Sequence, residues 1–218
     1  MGAMAIDGRG RPRLEEPRRP GGTARDQILD AAAELFTTAG YANTSTRRIA
    51  EAVGVRQASL YHHFATKDDI LDALLTGTID KPLQLAAQLL AESGPAPQRL
   101  HTLAVADATH LCNSTWNLGA LYLLPELHIE RFAEFRSRRA TLRQRYRELS
   151  EAAIAECGGS LALADLPFRL VESVINTRLD AGRCARDQPF IVAEGALRAL
   201  GYDGDFASLR ARSAQRLS

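Results

Sequence analysis

The chain has 218 residues, 45% of them apolar and 6% aromatic, with a formal net charge of +1. That composition supports an ordinary globular core and excludes a low-hydrophobicity disordered chain, while the near-neutral total does not by itself announce a polyanionic partner. No stretch approaches the roughly 18 apolar residues of a membrane span, and the N-terminus lacks the apolar segment of a secretory leader, so a cytoplasmic protein with no membrane partner is expected.

In chain order, residues 1–22 are rich in Gly, Pro and Arg and are expected to form a disordered basic arm. Within it, Gly8-Arg9-Gly10-Arg11-Pro12-Arg13 resembles the core of an AT-hook, whose Arg side chains enter a narrow A·T minor groove. The other reading is a flexible basic tail. A first helix is predicted from Thr23, where Thr23 and Asp26 form a capping pair. Ile28, Leu29, Ala32, Leu35 and Phe36 then recur at helical spacing up to Gly40. Two short helices follow, joined at Gly54, a residue that tolerates the positive φ of a tight turn. The first carries Ile49, Ala50 and Val53 on one face. The second turns Leu60 inward and Gln57, Ser59, Tyr61 and His62 outward. That is the layout of a helix-turn-helix whose second helix lies in the DNA major groove.

Thr66 and Asp69 open a fourth helix with Ile70, Leu71, Leu74 and Leu75 inside, and Pro82 either kinks it or starts a new segment. Residues 93–97 read as a linker. Helices are predicted over 98–113, 115–124, 127–157, 163–181 and 189–200, and no segment alternates with period two. The expected fold is therefore all-α, a three-helix headpiece on a larger helical body. Residues 1–22 form the arm, 23–68 the helix-turn-helix DNA-binding unit, and 69–218 the larger helical body.

The signature residues also carry a resemblance. Ile49-Ala50, Gly54-Val55, Leu60-Tyr61, His63-Phe64 and Lys67, with the run Ile28 to Gly40 and then Tyr41 and Thr44, resemble the helix-turn-helix of the TetR-type transcriptional repressors. The match covers roughly residues 23–75. It implies a homodimeric regulator that binds a palindromic double-stranded DNA operator and is released by a small, mostly apolar inducer. It also implies that His63 and Phe64 pack the headpiece. Two positions depart from the pattern. Arg56 stands where the family usually has Ser, which loses an N-cap worth about 1 kcal/mol. Ala58 stands where Gly is common, and its methyl group can meet a thymine methyl.

The local charge agrees with a DNA partner: residues 40–67 hold Arg47, Arg48, Arg56 and Lys67 against Glu51 alone. Gln57 suits base edges, Ser59 can reach a base or a phosphate, and Tyr61, His62 and Lys67 suit phosphates. Thr44 and Thr46 lie at the start of a helix, where hydroxyls and free backbone N–H groups favour either a phosphate or simple capping. Arg47 and Arg48 have the longer reach. Candidate ligand contacts are His101, Thr109, Cys112, Trp116, Asn117, Tyr122, Phe132, Phe135, Val171 and Asn176, with Trp116 foremost and ordinary packing the alternative for each. The Arg-rich stretch from 131 to 147 reads as a solvated helix face.

The dimer expected from the resemblance uses Leu166, Phe168, Leu170, Val171, Val174 and Ile175, then Phe190, Ile191, Ala193, Glu194, Leu197 and Leu200. Cys112, Cys157 and Cys184 read as free thiols, with redox sensing the minority alternative because Arg183 and Arg186 flank Cys184. No nucleotide, nucleophile or metal motif appears, so no enzyme, metal or cofactor is expected. The alternative function is a helix-turn-helix protein without an inducer, constitutive or architectural.

Overall fold

The computed structural model describes residues 19–218, and the Arg-Gly-Arg-Pro segment lies outside them. Those residues form helices and short 3-10 turns, with no strand among them.

Helix α1 (Ala24–Thr38) starts at the capping box read from sequence. The Asp26 amide donates to Thr23 Oγ1 at 3.1 Å, and the Thr23 amide donates to the Asp26 carboxylate at 3.2 Å. Two orphan N–H groups are thus satisfied at the helix end. Helix α2 (Thr46–Val53) is capped by Ser45, whose hydroxyl accepts from the Arg48 amide at 3.2 Å. It ends at Gly54, where φ is +80°, and helix α3 (Gln57–Tyr61) follows with no side-chain cap at Arg56. Ile28, Ala31, Ala32 and Phe36 of α1 meet Ile49, Ala50 and Val53 of α2 and Leu60 of α3 in one core that Tyr41 and Phe64 complete.

Helix α4 (Lys67–Ala91) opens with the second expected capping box and runs from this headpiece into the body. Its first turns bury Ile70, Leu71 and Leu74, and its later ones bury Ile79, Ala86 and Leu89. Pro82 sits inside the helix and does not divide it. Helix α5 (Ala96–Asn113) is the axis of the body, with Leu100, Leu103, Ala104 and Ala108 wholly buried. Around it lie α4, α6 (Ala133–Cys157), α7 (Leu166–Glu172), α8 (Val174–Ala181), α9 (Gln188–Ala199) and α10 (Phe206–Leu217).

Three expectations about elements need correction, and one helix is additional. Residues 118–132 form three 3-10 turns instead of one short helix, because Pro125 and the extended residues Leu124 and Ile129 interrupt the period. The long helix therefore starts at Ala133 and not near 127. The helix expected over 163–181 breaks at Ser173, whose hydroxyl donates to the Leu170 carbonyl at 2.6 Å. Helix α10 was not expected. Its signal was the capping spacing of Asp205 and Ser208, whose amide donates to the Asp205 carboxylate at 3.1 Å.

The Arg-rich stretch is also not simply a solvated face. Arg131 reaches Asp69 and Asp72 of α4, Arg138 reaches Asp80 of α4, and Arg143 and Arg147 both reach Asp165. Arg145 donates to the Leu83 carbonyl at 2.6 Å. Partly exposed ion pairs add little stability each; Arg138 and Arg145 tie α6 to α4, Arg131 ties the turn before α6 to α4, and Arg143 and Arg147 tie α6 to the start of α7.

Candidate DNA interface and the body behind it

The face around α3 gathers most of the predicted DNA-reading side chains. Arg47, Arg48, Arg56, Ala58, Ser59, Tyr61 and His62 are exposed, and Leu60 beneath them is fully buried. Gln57 Nε2 donates to Thr46 Oγ1 at 3.0 Å and to the Tyr61 hydroxyl at 3.1 Å, and those two oxygens lie 3.1 Å apart. This triad ties the first turn of α2 to α3 and so orients the surface of the second helix. Arg47 leans on Glu51 at 2.9 Å in a well-exposed pair, weak enough for the guanidinium to exchange that partner for a phosphate. Arg48 and Arg56 have no carboxylate partner among the described residues.

Three residues sit differently from expectation. Thr44 is buried, and its hydroxyl donates to the Gly40 carbonyl at 2.9 Å, so it shapes the turn before α2. Lys67 donates to the Tyr41 carbonyl at 2.8 Å and lies 4.0 Å above the Tyr41 ring, so its charge is held within the headpiece. His63 is exposed, whereas Phe64 packs inside beneath the Arg25 guanidinium.

The proposed ligand residues do not line one chamber. Thr109 and Cys112 border a cavity of about 510 Å³ between α5, α9 and α10. Tyr122 and Phe135 border another of about 240 Å³ with Leu127, His128, Arg136, Arg139 and Arg143. Phe132 and Val171 are core residues with no exposure, and Asn176 faces outward. Asn117 donates to the Ile175 carbonyl at 3.0 Å. His101 is fully buried, 2.7 Å from the Ser213 hydroxyl, and burial pushes its pKa down to about 4. Sequence spacing could not reveal this scatter, because the residues lie on different sides of α5.

Trp116 borders neither of these two cavities. Its indole N–H donates to Asp30 of α1 at 2.9 Å, and Arg19 holds the other oxygen of that carboxylate at 3.1 Å. Behind Trp116, the Arg178 guanidinium donates to the carbonyls of Leu111 and Ser114, each at 2.7 Å. A buried cation with no acid partner among the described residues thus caps the last turn of α5. Deeper in the body, Asp107 accepts from the Tyr146 hydroxyl at 2.9 Å, and burial pushes its carboxyl pKa up to about 7.

The cysteines correct the free-thiol expectation: Cys112 and Cys184 are joined in a disulfide with their Cα atoms 5.6 Å apart, and Cys157 is free. The fold brings the last turn of α5 against the loop after α8, a juxtaposition that sequence separation concealed. Among the described residues no group of three or more His, Cys, Asp or Glu could hold a metal ion.

Comparison with known proteins agrees with this geometry. A family model described as bacterial regulatory proteins of the tetR family matches residues 28–74. The crystal structure of Mycobacterium smegmatis AmtR is 68% identical, covering 93% of this chain and 98% of that one, with a TM-score of 0.91. The chain belongs to the TetR family. Among curated TetR-type relatives, the transcriptional repressor KstR2 of Rhodococcus jostii is 28% identical over 137 residues, 61% of this chain. Its counterpart in Mycobacterium tuberculosis is 43% identical over 83 residues, 38% of this chain. The matched stretches span 66% and 42% of those two repressors' lengths. These relatives are transcriptional regulators.

Proposed function

We propose that the protein is a dimeric, ligand-responsive transcriptional repressor of the cytoplasm. It reads a palindromic operator with α3 and has no catalytic role. The observation that carries this reading is the exposed α3 surface. Ser59, Arg56 and His62 are outward with no side-chain partner among the described residues, and Arg47 and Arg48 flank them, over a buried core. Gln57 and Ser59 take base edges, and the Arg side chains with Tyr61 take phosphates. Residues 23–68 serve as the DNA-binding unit and 69–218 as the ligand and dimer unit.

We infer a dimer face narrower than the set expected from sequence. Phe168, Val171, Val174, Ala193, Leu197 and Leu200 are consumed in the protein's own core. Ile191, Leu179 and Leu163 remain exposed on or near the same helices and are the apolar residues available to a second copy. For the inducer, the cavity beside Tyr122 is favoured. The Tyr122 hydroxyl lies 2.6 Å from that of Thr78 on α4, the helix leading to the headpiece. Its wall combines Tyr122 and Phe135 with Arg136, Arg139 and Arg143, which suits a small ligand with an apolar body and an anionic group.

Enrichment of duplexes from a random pool tests the reading. The expected product is a palindrome with half-sites about one helical turn, or a multiple of it, apart, bound by two chains. No enrichment, or an asymmetric site bound by one chain, would count against it.

A further inference from the structure

The Cys112–Cys184 bridge lies where a change in it would reach the headpiece. Cys112 is in the last turn of α5, four residues before Trp116, which holds Asp30 of α1. Cys184 follows α8, whose Arg178 grips the same 111–116 segment. Both cysteines are partly accessible, and both stand on the wall of the cavity of about 510 Å³, with Val105, Pro189, Phe190 and Leu217 as its apolar lining. Arg186 also borders it. Neither Arg186 nor Arg183 has a carboxylate partner among the described residues. A structural fastening has no need of an accessible apolar chamber beside it, and in reducing compartments a protein disulfide is ordinarily a transient, sensing bond.

We propose that this pair is a hydroperoxide-sensing site whose thiol or disulfide state is transmitted to the DNA-binding headpiece through Trp116. Cys184 is the attacking thiol, since neighbouring cations stabilise its thiolate. Cys112, at the partially negative end of α5, is the resolving thiol. The Cys184 thiolate attacks the outer oxygen of the hydroperoxide and the O–O bond breaks, leaving a sulfenic acid and an alcohol, or water when the oxidant is hydrogen peroxide. Cys112 then attacks the sulfenic sulfur, the disulfide forms and water departs. Two thiols lose two electrons in all, and one peroxide gains them. The bridge pins the 111–116 segment and hence the Trp116–Asp30 contact; reduction frees one of its fastenings.

The proposal rests on the DNA-binding reading for its output only, so the test has an arm that needs no DNA. The full chain, reduced and freed of reductant, is treated with cumene hydroperoxide or with hydrogen peroxide. Three free thiols should fall to one, with the Cys112–Cys184 peptide as the product, and the fluorescence of Trp116, the only tryptophan, should change in step. Faster reaction with cumene hydroperoxide marks an organic substrate, and equal rates mark peroxide in general. Cys184→Ser and Cys112→Ser should both abolish the bridge and the fluorescence change, with Cys112→Ser stopping at a Cys184 sulfenic acid, and Cys157→Ser should abolish neither; melting curves confirm that each variant folds. On a duplex enriched by the reduced protein, oxidation should shift affinity by about fivefold or more, within the usual range of allosteric coupling. Trp116→Phe should lose that shift while still forming the bridge. Thiols that persist, another pairing, or a bridge that forms with Trp116 emission unchanged would overturn the proposal. If no duplex is enriched at all, the regulator reading fails and the thiol and fluorescence arms still decide this one.

Discussion

Trp116 and Asp30 are joined across the boundary between body and headpiece by an indole N–H donated to a carboxylate at 2.9 Å. The bond ties α1 to the segment after α5, whose first 3-10 turn also packs against α1. A charge-assisted hydrogen bond of this kind contributes about 1.5–3 kcal/mol. Trp116→Phe keeps most of the apolar contact and removes the donor. The variant should fold normally and lose part of the communication between body and headpiece. A ligand that weakens DNA binding in the wild type should weaken it less in Trp116→Phe, as competition titrations would show.

Gly54 sets the angle between α2 and α3 with φ at +80°. A side chain in that region costs about 1–2 kcal/mol. Gly54→Ala should lower stability by about that much in denaturant titration. It should also weaken DNA binding by more than the unfolded fraction explains, because α3 would be mis-aimed.

Asp107 and His101 give opposite pH dependences. The folded-state pKa of Asp107 is raised to about 7, so its contribution is fully present below its unfolded value of about 4 and is lost as pH rises through 7. That of His101 is lowered to about 4, so its contribution is present above its unfolded value of about 6.5 and is lost as pH falls toward 4. The wild type should therefore show a shallow stability profile between about pH 4 and 6.5, where the two slopes oppose. Asp107→Asn should leave the His101 slope exposed, with stability rising over that window, and should exceed the wild type above pH 7. Urea titrations across pH check this, and parallel profiles for the two proteins would refute it.

The headpiece was legible in the sequence because its signals are local. Thr23 with Asp26, Thr66 with Asp69 and Gly54 act within a few residues, and the structure places caps and turn there. The all-α fold was legible for the same reason. The body was less so. Helix period does not say that Thr109 and Tyr122 border different cavities, nor that Trp116 bonds a carboxylate 86 residues earlier. The Arg-rich stretch looked solvated because its partners, Asp69, Asp72, Asp80 and Asp165, are remote in sequence. The disulfide eluded the reading for the same reason.

Ala58 offers the most direct test of α3 as the DNA-reading helix. It is exposed on α3, clear of the core residue Leu60, and Glu is an adequate helix former there. Ala58→Glu should leave the melting curve within about 1 kcal/mol of the wild type, as for most surface changes. Against the phosphates and base edges of a groove, however, the added negative charge should cost several kcal/mol. The measurement is the affinity of wild type and Ala58→Glu for the enriched palindromic duplex at one fixed salt concentration. A loss of about 100-fold or more with unchanged folding is the predicted result. Equal affinity for the two proteins would contradict the placement of α3 in the groove.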